Sequence, residues 1–195
     1  MDDLPLFPLS TVLFPGGRAH LRVFEPRYVD LVRECTRDGR PFGVNQILQG
    51  AESGAPATPA AVGTLAHIRD FFALDGGLLG IRIEGGQRFR VARTRVRGDG
   101  QLRADIALWP DEPAWPLPPE YGLLATILDR LLTAFASDLV QPFGAPQLDD
   151  ASWVGMRLSE LLPLSSGERQ AMLELDDPLA RLAALNELLP RFQRA

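Results

Sequence analysis

Two histidines, His20 and His67, and one cysteine, Cys35, are the side chains of this 195-residue chain best suited to metal or nucleophilic chemistry. Neither histidine has a Cys or His at ligand spacing, and zinc sites rely on clustered ligands. Cys35 falls on the apolar side of a predicted helix, where core packing is a plainer role than attack. No G-x-S-x-G elbow is present. Nothing favours a Ser-His-Asp triad assembled from distant positions. The stretches Gly76-Gly77-Leu78-Leu79-Gly80 and Gly98-Asp99-Gly100 fail the G-x-G-x-x-G pattern and precede no helix. Lysine is absent, all twenty basic residues being arginine. A Walker A loop, a Ser–Lys dyad and a Schiff base are thereby excluded. The paired carboxylates Asp2-Asp3, Asp149-Asp150 and Asp176-Asp177 fall at the terminus or at predicted helix starts, where capping and the helix dipole account for the latter two. The expectation is no catalytic residue, no metal and no cofactor.

Recognition has better candidates. Residues 82–103 hold seven arginines (82, 88, 90, 93, 95, 97, 103) against Glu84 and Asp99, a local charge of +5 in a chain of net −5. The plain reading is a solvated strand face paired with acids elsewhere. The functional one is a site for an acidic partner or a nucleic-acid backbone. Phe71 and Phe72 are adjacent, so in a strand one ring must leave the core. Trp109 and Trp115 bracket a proline-rich stretch with little around it to bury them. Packing between domains is the plain role for these rings, and an apolar surface for another protein's side chains is the alternative. The hypothesised contact set is therefore Phe71, Phe72, Trp109 and Trp115, with Arg88, Arg90, Arg93 and Arg95 favouring acidic partners.

The elements that would position these residues are legible from periodicity. Residues 62–97 read as three successive strands. Asp75-Gly76-Gly77 and Gly85-Gly86 are taken as tight turns, because such turns need positive φ. The apolar parity switches from Phe89 and Val91 to Ala92, Thr94 and Val96, which predicts a β-bulge near Val91–Ala92 that keeps the apolar side chains inward. Residues 4–24 suggest two strands around a turn at Phe14–Gly17, the first short or at an edge because of Pro5 and Pro8. Glu25-Pro26-Arg27 opens a helix with proline at its first turn. Tyr28, Leu31, Val32 and Cys35 form its buried stripe, and Asp38-Gly39 ends it. Phe42–Leu48 returns as a strand, 49–61 is a loop, and Gly98-Asp99-Gly100 turns into a last strand, Leu102–Trp109.

Five prolines between 110 and 119 stop any helix or central strand. Everything beyond is helical. Tyr121, Leu124, Leu128, Leu131 and Phe135 make one stripe, 138–150 a loop, and Trp153–Leu162 a second helix. Ser165 and Glu168 announce a third by a capping box, and Asp177-Pro178 a fourth. The expected class is α+β: a curled antiparallel sheet with one inserted helix, then about four helices. The two subdomains are set at 1–116 and 117–195. No stretch approaches the roughly 18 apolar residues of a membrane span. The acidic, proline-broken N-terminus is no secretory signal, and a single cysteine suits a reducing cytoplasm.

LPLFPLSTVLFPG (4–16), HLRVFEPRY (20–28), GRPFGV (39–44), VGTLAHI (62–68) and GGQRFRV (85–91) together resemble the Lon protease N-terminal domain, the substrate-binding domain of the ATP-dependent protease, also found in cereblon. SSGERQAMLELDDPLARLAALNELL (165–189) resembles the end of the same domain. The resemblance implies a bacterial, cytoplasmic PUA-like β pseudo-barrel plus a helical bundle. It also implies a stand-alone, non-enzymatic module that binds unfolded polypeptide or a partner protein, since a lysine-free chain can supply neither the ATPase nor the protease centre. EPRY (25–28), at a strand-to-helix junction, is read as fixing the fold. PUA-like folds include RNA binders, so RNA or anion binding by the arginine-rich strand is the alternative. The net charge of −5 argues against nucleic acid for the chain as a whole.

Overall fold

The computed structural model describes residues 1–134 and 145–192. Phe135 and much of the predicted 138–150 loop lie outside them. The chain divides into two compact units, Met1–Pro110 and Asp111–Ala195.

The first unit contains, in chain order, β1 (Leu4–Leu9), β2 (Arg18–Val23), α1 (Pro26–Asp38), β3 (Phe42–Gln49), β4 (Thr58–Ala73), β5 (Leu79–Val96) and β6 (Leu102–Leu108). The sheet order is β2-β5-β4-β3-β1-β6, and β6 pairs back onto β5. Five strands thus form a ring, with β2 attached to β5 alone among the described residues. The sheet is mixed rather than antiparallel throughout, because β1 runs parallel to β3 with Leu6 opposite Gly43 and Leu9 opposite Gln46. Parallel strands need a crossover, and the chain supplies one in β2 and α1. β1 is short, as its prolines imply, yet it is paired on both sides, to β3 and to β6.

β5 organises the unit, and it corrects the sequence reading. Leu79–Val96 is one strand, not two joined by a Gly85-Gly86 turn. One edge of β5 pairs with β4 from Leu79 to Arg90. The other serves β2 as far as Glu84 and β6 from Phe89 onward. The glycines mark the change of partner. A Cβ on Gly85 would lie 2.1 Å from the Phe14 carbonyl oxygen, and one on Gly86 2.9 Å from His67 Nε2. Gly85 donates to the Gly17 carbonyl and accepts from the Gly16 N–H, each at 2.8 Å. Close approach, not positive φ, is their reason. The turn at Asp75–Gly77 is real, with Gly76 and Gly77 both at φ +75°. The bulge between Val91 and Arg93 is also present. Its stated purpose is not, since Ala92, Thr94 and Val96 beyond it are exposed.

Apolar side chains collect in two clusters. Leu4, Leu6, Phe89, Leu102, Ala104 and Ile106 pack between β1, β5 and β6. The other cluster lies under α1, whose Tyr28, Leu31, Val32 and Cys35 meet Phe7, Phe42, Ile81 and Ile83. The helix begins with Pro26 in its first turn and ends at Gly39, φ +62°, as its sequence requires. Arg27 and Tyr28 of EPRY are buried. Arg27 pairs with Glu25 at 2.8 Å, and Tyr28 donates to the Glu52 carbonyl at 3.3 Å. The motif thereby ties the 50–57 loop to the start of α1.

The second unit comprises α2 (Gly122–Ala134), α3 (Ala151–Leu161), α4 (Ser166–Glu174) and α5 (Pro178–Leu188), with α3 packed against the other three. Asp150 caps α3 by accepting from the Trp153 N–H, Asp177 caps α5 from Leu179, and Ser165 with Glu168 forms the expected capping box on α4. Arg181, fully buried, donates to both Glu112 oxygens and to the carbonyls of Met172 and Leu175.

Candidate functional site

β2, α1 and the β4–β5 turn surround two apolar concavities in the first unit. One, of about 670 Å³, is lined by Phe7 and Leu9 of β1, by Ala19, His20, Leu21 and Arg22 of β2, and by Phe24, Leu78 and Glu52. Its far wall is stiffened by Phe7, which stacks on Tyr28 at 4.0 Å and 10°. Glu52 is held there by the Ser10 N–H at 2.7 Å. The other, of about 400 Å³, lies between α1 and the end of the β4–β5 pair, lined by Val29, Val32, Arg33, Arg37, Phe71 and Leu79. Two aromatic rings stand at their margins in water, Phe24 at 57% and Phe71 at 45% exposure.

Strand alternation separates the two predicted phenylalanines. Phe71 pairs with Ile81 and faces α1, just past the edge of the core. Phe72 pairs with Gly80 and lies on the opposite face, against His20 at 5.1 Å. A Cβ at Gly80 would be 2.3 Å from the Phe72 ring, so the glycine makes the seat for that ring. Phe72 is accordingly half-buried, and Phe71 is the exposed member of the pair.

The predicted aromatic and arginine set is not one site. Arg88 pairs with Thr64 and Phe72 with Gly80. Eight residues of β5, about 25 Å of strand, separate them. The guanidinium carbons of Arg88 and Arg90 lie 4.9 and 4.6 Å from the Trp109 ring centroid, Arg88 buried and Arg90 exposed. Arg93 bonds Asp105 at 2.8 Å, and Arg95 bridges Asp105 and Asp3 at 2.8 and 2.5 Å. Arg103, 2% exposed, pairs with Asp3 and Glu34. Much of the local positive charge is answered by acids outside the 82–103 window. The Arg95 guanidinium, then the Asp3 N–H and Arg93, hold the Asp105 carboxyl well below its ordinary range. Trp115 belongs to the second unit, where it is exposed and its carbonyl accepts from the Ala151 N–H at 2.7 Å.

Phe24, Leu78 and Leu79 join the concavities without having been singled out, and His20, weighed above only for metal or nucleophilic chemistry, joins them as a lining residue. Phe24 carried the signal, since it shares strand parity with Arg22 rather than with Leu21 and Val23. Cys35 is buried, and burial pushes its thiol up to about 11. Among the described residues no three His, Cys, Asp or Glu side chains form a group able to hold a metal ion. No helix of these residues is long and apolar enough to cross a membrane.

A ring of strands carrying one crossover helix, joined to a four-helix unit and bearing apolar grooves, is the architecture of a known binding domain. The chain belongs to the ATP-dependent protease La (LON) substrate-binding domain family, whose model matches residues 3–191. The crystal structure of a Lon N-terminal domain protein from Xanthomonas campestris is 45% identical. It covers 96% of this chain and 98% of its own, with a TM-score of 0.81. The N-terminal domain of a Mycobacterium avium complex Lon protease shares the fold at 15% identity and TM-score 0.65, over 95% of this chain and 96% of its own. Protein cereblon of Danio rerio is 30% identical over 115 residues, which make up 57% of this chain and 26% of that protein.

Proposed function

We propose that this chain is a non-enzymatic module that binds segments of unfolded polypeptide or of a partner protein in the apolar grooves of its first unit. The supporting observation is exposed aromatic surface beside concave apolar surface. Phe24 and Phe71 stand at the margins of grooves lined by Leu9, Leu21, Val29 and Leu79, in a chain whose family is a substrate-binding domain. Large exposed apolar patches on soluble domains commonly mark interaction sites. Trp109, with the arginines beside it, and Trp115 of the second unit are separate candidate contacts in the same reading. RNA binding by the arginine strand is disfavoured, because Arg93, Arg95 and Arg103 already have carboxylate partners.

The test is fluorescence anisotropy with a permanently unfolded polypeptide and a short single-stranded RNA, each at low and high salt. Apolar binding of the polypeptide is expected to change little with salt, whereas phosphate binding falls steeply. Phe71→Ser is expected to weaken polypeptide binding by roughly tenfold, the scale of one anchoring ring, with the melting temperature within a few degrees of the parent. The double replacement of Phe71 and Phe72 is a poorer probe, since Phe72 also covers Gly80. Salt-sensitive RNA binding with no polypeptide binding would reverse the reading.

A further inference from the structure

We propose that the larger groove takes its polypeptide as an added β-strand, laid along the edge of β2 that pairs with no other strand among the described residues. This deepens the reading above and rests on it. Four consecutive residues of β2, Ala19 to Arg22, line that groove. Successive side chains of a strand point to opposite faces, so a concavity touched by all four runs along the edge of the strand and not over one face. β2 is the terminal strand of the sheet, hydrogen-bonded to β5 on its other side.

The direction of the groups that do not bond β5 follows from the ladder. The Gly17 carbonyl accepts from the Gly85 N–H and therefore points at β5. Across a trans peptide the next N–H points away, and the alternation continues without a shift through Val23. His20 and Arg22 consequently turn their backbone N–H and C=O toward the groove. Edge strands are ordinarily guarded by proline, a bulge or an inward charge. β2, Arg-Ala-His-Leu-Arg-Val, has no proline and no register shift, and its edge is marked only by the charges of Arg18 and Arg22. β1 across the groove contains Pro5 and Pro8, which removes two of its six backbone donors.

The lining states what the added strand must carry. Side chains of one parity would meet Phe7, Leu9 and Leu21, and should be apolar. Those of the other parity would lie on the outer face beside Arg22, which is exposed and has no carboxylate partner among the described residues. The occupant is thus an extended segment of about six residues from another protein, alternating apolar and acidic, bound chiefly through its main chain.

The experiment uses the intact protein and a six-residue peptide of alternating valine and glutamate. A second peptide has the same sequence, but alternate backbone nitrogens are methylated. The plain peptide is expected to bind and to slow amide exchange at His20 and Arg22 by roughly tenfold or more. The methylated peptide should bind at least about tenfold more weakly, having lost its ladder donors. Arg22→Glu should weaken the plain peptide and leave an uncharged alternating one unaffected. Equal binding of both peptides, or binding without protection at those two amides, overturns strand addition while leaving polypeptide recognition intact. Failure of the plain peptide to bind, with the unfolded polypeptide still bound, has the same meaning. Failure of both removes the broader reading as well.

Discussion

A methyl group added at Gly85 would meet the Phe14 carbonyl oxygen at 2.1 Å, whereas one at Gly98 would meet nothing within 4 Å. The obstacle at Gly85 is main chain held by two hydrogen bonds, so it cannot swing aside like a long side chain. Gly85→Ala is expected to cost about 1–3 kcal/mol, the usual range for overpacking. Gly98→Ala should stay within about 0.5 kcal/mol. Urea midpoints of the two variants check this, and equal losses would contradict the close-approach account. The same residue shows where sequence reading stops. A glycine pair between apolar runs has two physical uses, positive φ and room for a neighbour, and composition alone does not separate them. Gly76-Gly77 has the first use and Gly85-Gly86 the second. Phe71 and Phe72 were legible as a pair that could not both be buried, but not which ring would find cover. That was decided by Gly80, eight positions away.

Helix ends were written locally and proved readable. Pro26, Gly39, Asp150, Ser165 and Asp177 all sit where the capping rules put them, because those rules involve only neighbours in sequence. Ser165→Ala should remove about 1 kcal/mol through the lost cap. The second unit depends more heavily on a contact no local pattern announces. Arg181 is fully buried, and its charge is answered by Glu112, 69 residues away. Glu112→Ala strands that guanidinium and is expected to cost about 3–5 kcal/mol. A double variant, Glu112→Ala with Arg181→Leu, should recover much of the loss, since an apolar replacement leaves no buried charge. Thermal unfolding of the three variants measures both effects. Strand partners were unreadable for a related reason. β1 parallel to β3, and β5 divided between β2 and β6, are pairings between distant segments whose sequences specify a strand but not its neighbour.

Acid response belongs to the molecule as a whole, because both units contain carboxylates held low. Asp105 in the first is kept ionised chiefly by Arg95. In the second, the Arg191 guanidinium and Ser165 bring Glu168 down to about 2. A folded pKa below the unfolded one means that the unfolded chain binds more protons as acid is added. The stability these groups contribute is therefore complete above about pH 5 and is lost as pH falls toward 2. Urea midpoints should hold steady from pH 7 to pH 5 and then decline. The deficit of Asp105→Asn relative to the parent should shrink by pH 3, and a deficit independent of pH would contradict the pairing. The proposed binding surface was legible at this scale only in part. Its aromatic character could be read from the sequence, but the groove along β2 arises from where the ring of strands fails to include it.

That ring also constrains how the protein is made. The Arg103 guanidinium bonds the Asp3 carbonyl across 100 residues, and the Met1 ammonium reaches the Ile106 carbonyl. During translation at roughly 5–20 residues per second, the first strand emerges many seconds before the last one that can hold its outer side. Throughout that interval Leu4 and Leu6, buried in the finished unit, have no β6 to lie against. A nascent chain of this protein must therefore wait with its beginning unfastened until almost the whole first unit has left the ribosome.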